Sequence, residues 1–377
     1  MIFTVNSEEL GRNIQGLAKM MSGKNSLAIL DHFLFQIDGD DLHVIASDSE
    51  NMMRTTMNIL SATLLNDESK SFCIHNTVIC DFLKNIPEQP IQFEVDLAAC
   101  VVQLSYMNGH INFPCIAGED FPSFNVVGED AETVMLPSTY ILDDICKTSP
   151  FVVQESLRPS MMAICFQFKQ NGLDVVSTNG NVLVKITHSD VTKENEATML
   201  LPQKPVSLLK YFLNKEDKAV TIKFTDNTAV FSSENWKLTC RLIEGKYPNY
   251  NSVIPKSHSL EVVVDKKPLQ ESIRRILPMG NQTMKTIIVN VVDTFLELFS
   301  ENIDFCTSAK EHIACETIGD GLRIGLNGEK LYEVLSQTPS ETVRMEMTEP
   351  MRPIIVSPRE DRKDVAFLAL LMPCMLD

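Results

Sequence analysis

The sequence holds no apolar run of the roughly 18–20 residues that a membrane-spanning helix needs. Its opening, MIFTVNSEEL, lacks the basic-then-apolar layout of a secretion signal, so a cytoplasmic protein is expected. No two of its ten cysteines, at 73, 80, 100, 115, 146, 165, 240, 306, 315 and 374, form C-x-x-C. In a cytosolic chain they read as small buried hydrophobes, not disulfides or zinc ligands. The seven histidines, at 32, 43, 75, 110, 188, 258 and 312, include no H-E-x-x-H and no ligand spacing with cysteine. G-x-x-x-x-G-K-[ST] and G-x-S-x-G are missing too. No catalytic constellation remains, and neither a metal nor a cofactor is expected. DGDD at Asp38–Asp41 could hold a cation but reads as a hairpin turn, because its counterpart KQNG lacks the acids. Positive charge is scarce as well: 33 Lys and Arg face 50 Asp and Glu, a formal net charge of −17. Taken alone, that argues against a simple nucleic-acid binder.

What the chain does have is internal repetition, at a length of 377 residues that suits two to four domains. FQIDGDDL (Phe35–Leu42) is matched by FQFKQNGL (Phe166–Leu173), each an alternating strand entering a polar, Gly-containing turn. The match runs on, setting Ser47 and Asp48 on Thr178 and Asn179. A weaker third copy, FLELFSENIDFCTS, puts Leu296 at the place of Leu42 and Leu173. Three helices follow the same plan, beginning near Val5, Leu136 and Val264, with Ser7, Ser138 and Asp265 expected as N-caps. A second helix and an alternating strand follow in each copy: NTVICDFLKNI then PIQFEV, KPVSLLKYFL then AVTIKF, NGEKLYEVLSQ then TVRMEM. An aromatic-Pro-polar-aromatic turn closes the first two copies, Phe121-Pro122-Ser123-Phe124 and Tyr247-Pro248-Asn249-Tyr250. The third ends in FLALLMPCMLD. The expected fold is α+β, three tandem copies at 1–127, 128–255 and 256–377, helices on one face of antiparallel sheet.

Charge is not spread evenly. Helices predicted over 7–25, 76–84, 138–148, 203–215, 265–276 and 327–336 hold 13 basic and nine acidic residues, so the acidity sits in strands and loops. A mildly positive helical layer would meet phosphate without reading bases, while an acidic remainder repels DNA elsewhere.

RLIEGKYPNYNSVIP at the second boundary, STNGNVL in the second copy, the terminal LLMPCML and the threefold repeat resemble the bacterial DNA polymerase III beta subunits, the replicative sliding clamps. The resemblance covers essentially the whole chain. It implies a non-catalytic, head-to-tail homodimer with helices lining the hole of a ring. Duplex DNA would thread that ring without sequence readout. The replicative polymerase, the clamp loader and other proteins would dock by a short peptide between the second and third domains. The matching groove positions are Met161, Thr178, Gly180, Leu183, Pro248, Val253, Leu370, Leu371 and Met372. Leu183 and Leu370 serve equally well as core. The family's basic residues beside this groove are replaced here by Asn181, Val182 and Ser252, which implies a less basic groove. For DNA the resemblance points to Lys24, then Lys204, Lys210, Arg274 and Arg275, with Arg158 after them; each also reads as a solvated surface cation. For the dimer interface it points to Ile111 with Ile276 and Leu277, which otherwise read as core. The competing reading is a three-repeat protein-interaction scaffold that does not encircle DNA.

Overall fold

A computed structural model of the chain describes residues 1–21, 27–63, 70–123, 128, 130–155, 157–213 and 219–376. One order of elements is written three times along it: a strand, a helix, a run of strands, a helix, three strands. The first copy holds β1 (Ile2–Asn6), α1 (Ser7–Ala18), β2 (His32–Asp38), β3 (Asp41–Ser47), β4 (Asn51–Asn58), β5 (Ser61–Thr63), β6 (Ser71–His75), α2 (Asn76–Leu83), β7 (Pro90–Asp96), β8 (Val101–Tyr106) and β9 (Gly109–Ala117). The second holds β10 (Glu132–Pro137), α3 (Ser138–Thr148), β11 (Ala163–Lys169), β12 (Gly172–Thr178), β13 (Val182–His188), β14 (Ala197–Pro202), α4 (Gln203–Phe212), β15 (Ala219–Phe224), β16 (Thr228–Ser232) and β17 (Trp236–Arg241). The third holds β18 (Leu260–Asp265), α5 (Lys266–Ile276), β19 (Thr286–Val292), β20 (Phe295–Asn302), β21 (Thr307–Ile318), β22 (Arg323–Asn327), α6 (Gly328–Gln337), β23 (Thr342–Met347), β24 (Ile354–Pro358) and β25 (Val365–Leu371). Two further short helical turns, at Pro159–Met162 and Tyr250–Ser252, bear on the site below.

The chain forms two compact units, each built on one antiparallel sheet. The first, Met1–Leu142 with Lys204–Leu242, carries thirteen strands in the order β10-β15-β16-β17-β4-β3-β2-β6-β9-β8-β7-β1-β5. The second, Asp143–Gln203 with Ile243–Asp377, carries twelve in the order β14-β11-β12-β13-β25-β24-β23-β18-β21-β20-β19-β22. The second copy thus gives strands to both sheets. One strand pair joins the copies in each: β4 with β17, and β13 with β25. Besides the strands at the ends of each sheet, β10, β5, β14 and β22, two strands inside the sheets keep a long unpaired side among the described residues. β9 pairs with β8 along its first half but with β6 only at Cys115–Ala117. β21 pairs with β20 from Thr307 to Ala314 but with β18 only from Cys315 onward.

In the first unit the sheet's inner face is aromatic. Phe3 stacks on Phe93 at 4.9 Å and Phe35 on Phe72 at 5.1 Å, all four fully buried. Leu10, Ile14 and Leu17 give α1 its apolar stripe at helical spacing. Against α1 packs α4, where Tyr211 donates its hydroxyl to the Arg12 carbonyl at 3.0 Å and lies under Lys19. In the second unit α5 buries Leu269, Ile273 and Ile276, and its last turn carries Arg274 and Arg275, as a helix C-terminus favours.

Three expectations need correction. The N-cap of α1 is Asn6, whose Oδ1 accepts from the amides of Glu8 and Glu9. Ser7 is taken up elsewhere, donating to the Pro87 carbonyl and accepting from the Gln89 amide. Ser138 is the first residue of α3 rather than its cap, and Asp265 caps α5 by position only, its carboxylate accepting from Thr342 instead. Finally, α1 stops at Ala18 and α4 at Phe212. The six helices therefore hold nine basic and eight acidic residues, and the positive excess shrinks to one.

Gly16 permits the α1–α4 approach: a Cβ there would lie 2.4 Å from the Phe212 ring and 2.5 Å from that of Tyr211. On an exposed helix face Gly→Ala would stabilise by roughly 0.5–1 kcal/mol. Here Gly16→Ala should destabilise the first unit by about 1–3 kcal/mol through overpacking, a change of sign that urea denaturation reads directly.

Candidate functional site

All nine expected groove residues fall within the second unit. Pairing of β13 with β25 sets Leu183 opposite Leu370. Both belong to an apolar cluster with Ala163, Cys165, Val176, Leu200 and Tyr250, against which Ile243, Tyr247, Ile254 and Leu368 pack. At 3% exposure each, Leu183 and Leu370 are core. The accessible apolar surface comes from Val253, 51% exposed, and Met372, 39% exposed. Pro248 and Met161 are half-buried, Met161 in the short turn leading into β11. Leu371 is the exception. It points to the opposite side of β25 from Leu370 and is fully buried, so it offers the groove no side chain.

The turn between β12 and β13 is held by its own side chains. Thr178 Oγ1 donates to the Val182 carbonyl at 2.7 Å and accepts from the Gly180 amide at 3.1 Å. Asn179 Oδ1 accepts from the amides of Asn181 and Val182. Gly180 sits at φ +85°, where a side chain is strained. The Asn181 carbonyl accepts from the Met372 amide at 2.8 Å, which ties the end of β25 to this turn. Thr178 therefore shapes the turn through its hydroxyl. Of the replaced basic positions, Asn181 and Ser252 are exposed, whereas Val182 is buried in the sheet.

Sequence reasoning missed the polar network beneath the groove. Tyr250 donates its hydroxyl to Asp174 Oδ2 at 2.8 Å, with Gln167 Oε1 2.5 Å from the same oxygen. Lys169 reaches the same carboxylate at 2.6 Å, Lys185 at 3.2 Å, and Thr187 donates to its other oxygen at 2.7 Å. Burial alone would raise the Asp174 pKa; the hydrogen bonds from Lys169, Thr187 and Tyr250, with the charge of Lys185, hold it below the usual carboxylate range. Burial pushes the Tyr250 phenol up, and the neighbouring Asp174 charge adds to this, so Tyr250 stays a neutral donor. The available signal was an acid at an otherwise apolar strand position, in GLDVVST.

The candidate DNA contacts are less uniform than composition implies. Lys24 lies outside the described residues. Lys204 forms an ion pair with Asp48 in the first unit. Burial would raise the Asp48 carboxyl, but Lys204 and Asn51 hold it below its ordinary value. Arg275 makes a two-pronged pair with Glu311, at 2.9 and 2.7 Å. Arg274 lies over the Tyr332 ring at 5.7 Å. Lys210 and Arg158 are exposed. Among the interface candidates, Ile276 is fully buried in its own unit and presents no side chain outward. Ile111, on the open side of β9, and Leu277 are half-buried. Leu277 borders a cavity of about 420 Å³ between α5 and α6, lined also by Ile273, Arg274 and Tyr332.

Four cysteines are buried, and burial pushes the thiols of Cys73, Cys165 and Cys240 up to about 12; Cys100 and Cys306 are exposed. His258, Glu261 and Glu346 bring donor atoms close together, with Arg344 Nε 3.3 Å from Glu261 as counter-charge. No helix among the described residues is long and apolar enough to cross a membrane.

Three family models match in succession: the N-terminal domain of the DNA polymerase III beta subunit over residues 1–125, its central domain over 136–249, and its C-terminal domain over 251–374. The beta sliding clamp of Halalkalibacterium halodurans is 24% identical over 375 residues, covering 96% of each chain. That of Pseudomonas putida is 24% identical, covering 92% of each. Among solved structures, a sliding clamp of Pseudomonas aeruginosa bound to griselimycin superposes with a TM-score of 0.92 at 21% identity, over 100% of both chains. The beta subunit of Thermotoga maritima superposes with a TM-score of 0.88 at 20% identity, again over 100% of both chains.

Because the folded pKa of Asp174 lies below its unfolded one, its ionised form stabilises the fold. That contribution is full above about pH 4 and is lost as pH falls through the depressed value. Asp174→Asn should cost about 1–3 kcal/mol at neutral pH, with the gap to wild type closing on acidification. Urea denaturation across pH checks this; a gap that stays constant would contradict the network.

Proposed function

The chain belongs to the DNA polymerase III beta subunit family, and on that premise we propose that it works as a DNA sliding clamp in the cytoplasm, a non-catalytic processivity subunit. Two protomers of three domains each, 1–127, 128–255 and 256–377, close head to tail around duplex DNA. The ring holds DNA by topology, without reading sequence, and tethers the replicative polymerase, the clamp loader and other proteins that carry a docking peptide.

The observation that carries this reading is the pair of open strand sides. The copies are joined by β4 with β17 and by β13 with β25. In the third copy β21 follows β20 as β13 follows β12, and its side at Thr307–Ala314 is unpaired. In the first copy β9 follows β8 as β17 follows β16, and its side at Gly109–Pro114 is unpaired. Pairing β21 of one protomer with β9 of the other repeats the same joint and leaves neither edge open, which supports head-to-tail closure. Ile111 lies on the β9 side of this joint. Leu277 and its cavity lie near the other, where the turn holding Met279 accepts from the Thr307 hydroxyl at 2.8 Å.

Lys24, Arg158, Lys204, Lys210, Arg274 and Arg275 serve as DNA-facing cations in this reading. With Lys204 and Arg275 already paired to carboxylates, the hold on phosphate is weak, as sliding requires. Val253, Met372, Pro248 and Met161 form the accessible rim of a peptide groove whose floor is Leu183 and Leu370. An apolar side chain of a partner peptide rests there, and its main chain follows the Thr178–Gly180 turn.

Loaded on nicked circular DNA, the protein should remain bound until the circle is linearised and then run off the ends. Retention on linear DNA, or none on either form, contradicts the clamp and favours the scaffold. Ile111→Asp should turn the dimer into a monomer by light scattering and abolish retention on circles.

A further inference from the structure

The joint between the first and second copies repeats the walls of the groove just assigned but carries different chemistry. Within the first unit, Met52 stands opposite Thr239 as Leu183 stands opposite Leu370. Leu34 and Ile45 face one another across β2 and β3 as Cys165 and Val176 do across β11 and β12. The turns agree down to single hydrogen bonds. Ser47 Oγ donates to the Asn51 carbonyl at 3.0 Å, as Thr178 does to Val182. Asp48 Oδ1 accepts from the Asn51 amide at 2.6 Å, as Asn179 accepts from Val182 at 2.8 Å. Ser49 holds φ +78° where Gly180 holds +85°. The Arg241 amide donates to the Glu50 carbonyl at 3.0 Å, as Met372 does to Asn181.

Space for a ligand lies along this joint. Two adjoining cavities, of about 400 and 420 Å³, share Pro122 and Ser123 in their walls. The first is floored by Leu34, Ile45, Met52, Phe121 and Val230. Its charged lining among the described residues is Arg54, Lys223 and Lys237, with no carboxylate. The second adds Glu50 and Arg241. In a chain of net charge −17, four cations against one acid among the described lining residues is a local reversal of sign. Arg54 also stands directly opposite Lys237 across the β4–β17 ladder, an arrangement that destabilises a sheet unless an anion lies between. Arg54 Nε is buried with no hydrogen-bond partner among the described residues. At the matching places of the other joint are Lys185 opposite Leu368, and Leu370 where Thr239 stands here. That groove takes apolar side chains; this one demands negative charge beside them.

We propose that this joint is a second docking groove, and that its occupant is an extended segment of a partner protein bearing a bulky apolar side chain flanked by Asp or Glu. The apolar side chain packs on Met52 and Phe121. A carboxylate sits between Arg54 and Lys237 and relieves their repulsion, and a second meets Lys223. The inference rests on the joint's own lining and not on DNA encirclement.

The probe is a fluorescein-labelled octapeptide, Asp-Leu-Glu-Phe-Asp-Leu-Glu-Ser, with a counterpart in which every acid is Lys. Fluorescence anisotropy on the full-length protein should show binding of the acidic peptide only. The exposed Lys223→Glu should weaken it several-fold, and Arg54→Glu with Lys237→Glu should weaken it by about tenfold or more while admitting the lysine peptide. Melting temperature checks the fold of the double variant, and Lys223→Glu alone decides the matter if that variant does not fold. Equal binding of both peptides, no binding, or insensitivity to Lys223→Glu overturns the proposal. So does loss of binding on Met372→Glu, which assigns the peptide to the other joint. Displacement of the peptide by duplex DNA also overturns it, making the patch a phosphate surface. Retention on circular DNA, read in parallel, reports on the clamp function separately.

Discussion

Main-chain pairing across the joints, β4 with β17 and β13 with β25, is the constraint on which the rest depends. Each such pair turns two small sheets into one continuous sheet. For that reason the compact units cut through the second copy instead of following the repeat. Backbone donors and acceptors along a strand must be met, and a joint meets them for two copies at once. The same logic makes the open sides of β9 and β21 consequential, because a chain built of identical joints ends in one unmade half-joint of each kind.

Where two copies meet, the aromatic-Pro turn covers the seam. Tyr250 is fixed from below by Asp174, Gln167 and Lys169, and its ring closes the apolar cluster under Leu183 and Leu370. A network with most partners satisfied rigidifies what lies above it. The apolar cluster under Leu183 and Leu370 is therefore held in place from below, with Val253 and Met372 exposed above it. In the other joint Phe121, the counterpart of Tyr247, packs with Leu30, Leu34, Ile45 and Cys73, while Phe124, the counterpart of Tyr250, lies outside the described residues. The two joints share a scaffold and differ in the side chains that face the seam.

Much of this was legible in the sequence, for a physical reason. Alternation along FQFKQNGL and QFEV reports which face of a strand is buried, and a repeat reports the same pattern three times. Side chains whose alternatives are chemically equivalent were not legible. Asn6 and Ser7 are both good caps, and only the pull of Pro87 and Gln89 on Ser7 decides between them. The end of α1 at Ala18 has no breaker to announce it, since Gly23 comes five residues later. Leu370 and Leu371 look alike in LALLMP, yet the pleat buries them on opposite sides of β25, Leu370 in the cluster at the seam. The ion pairs of Lys204 with Asp48 and of Arg275 with Glu311 were not legible either, because each joins residues far apart in sequence.

The claim that the unmade half-joints pair with one another is tested most directly by hydrogen exchange of the amides at Gly109–Pro114 and Thr307–Ala314, followed as protein concentration is lowered. The outward-facing amides of both segments should be protected at high concentration and lose that protection together on dilution into monomers, while those of β4 and β13 stay slow. Fast exchange in either segment at every concentration, or protection that persists in the monomer, would contradict it.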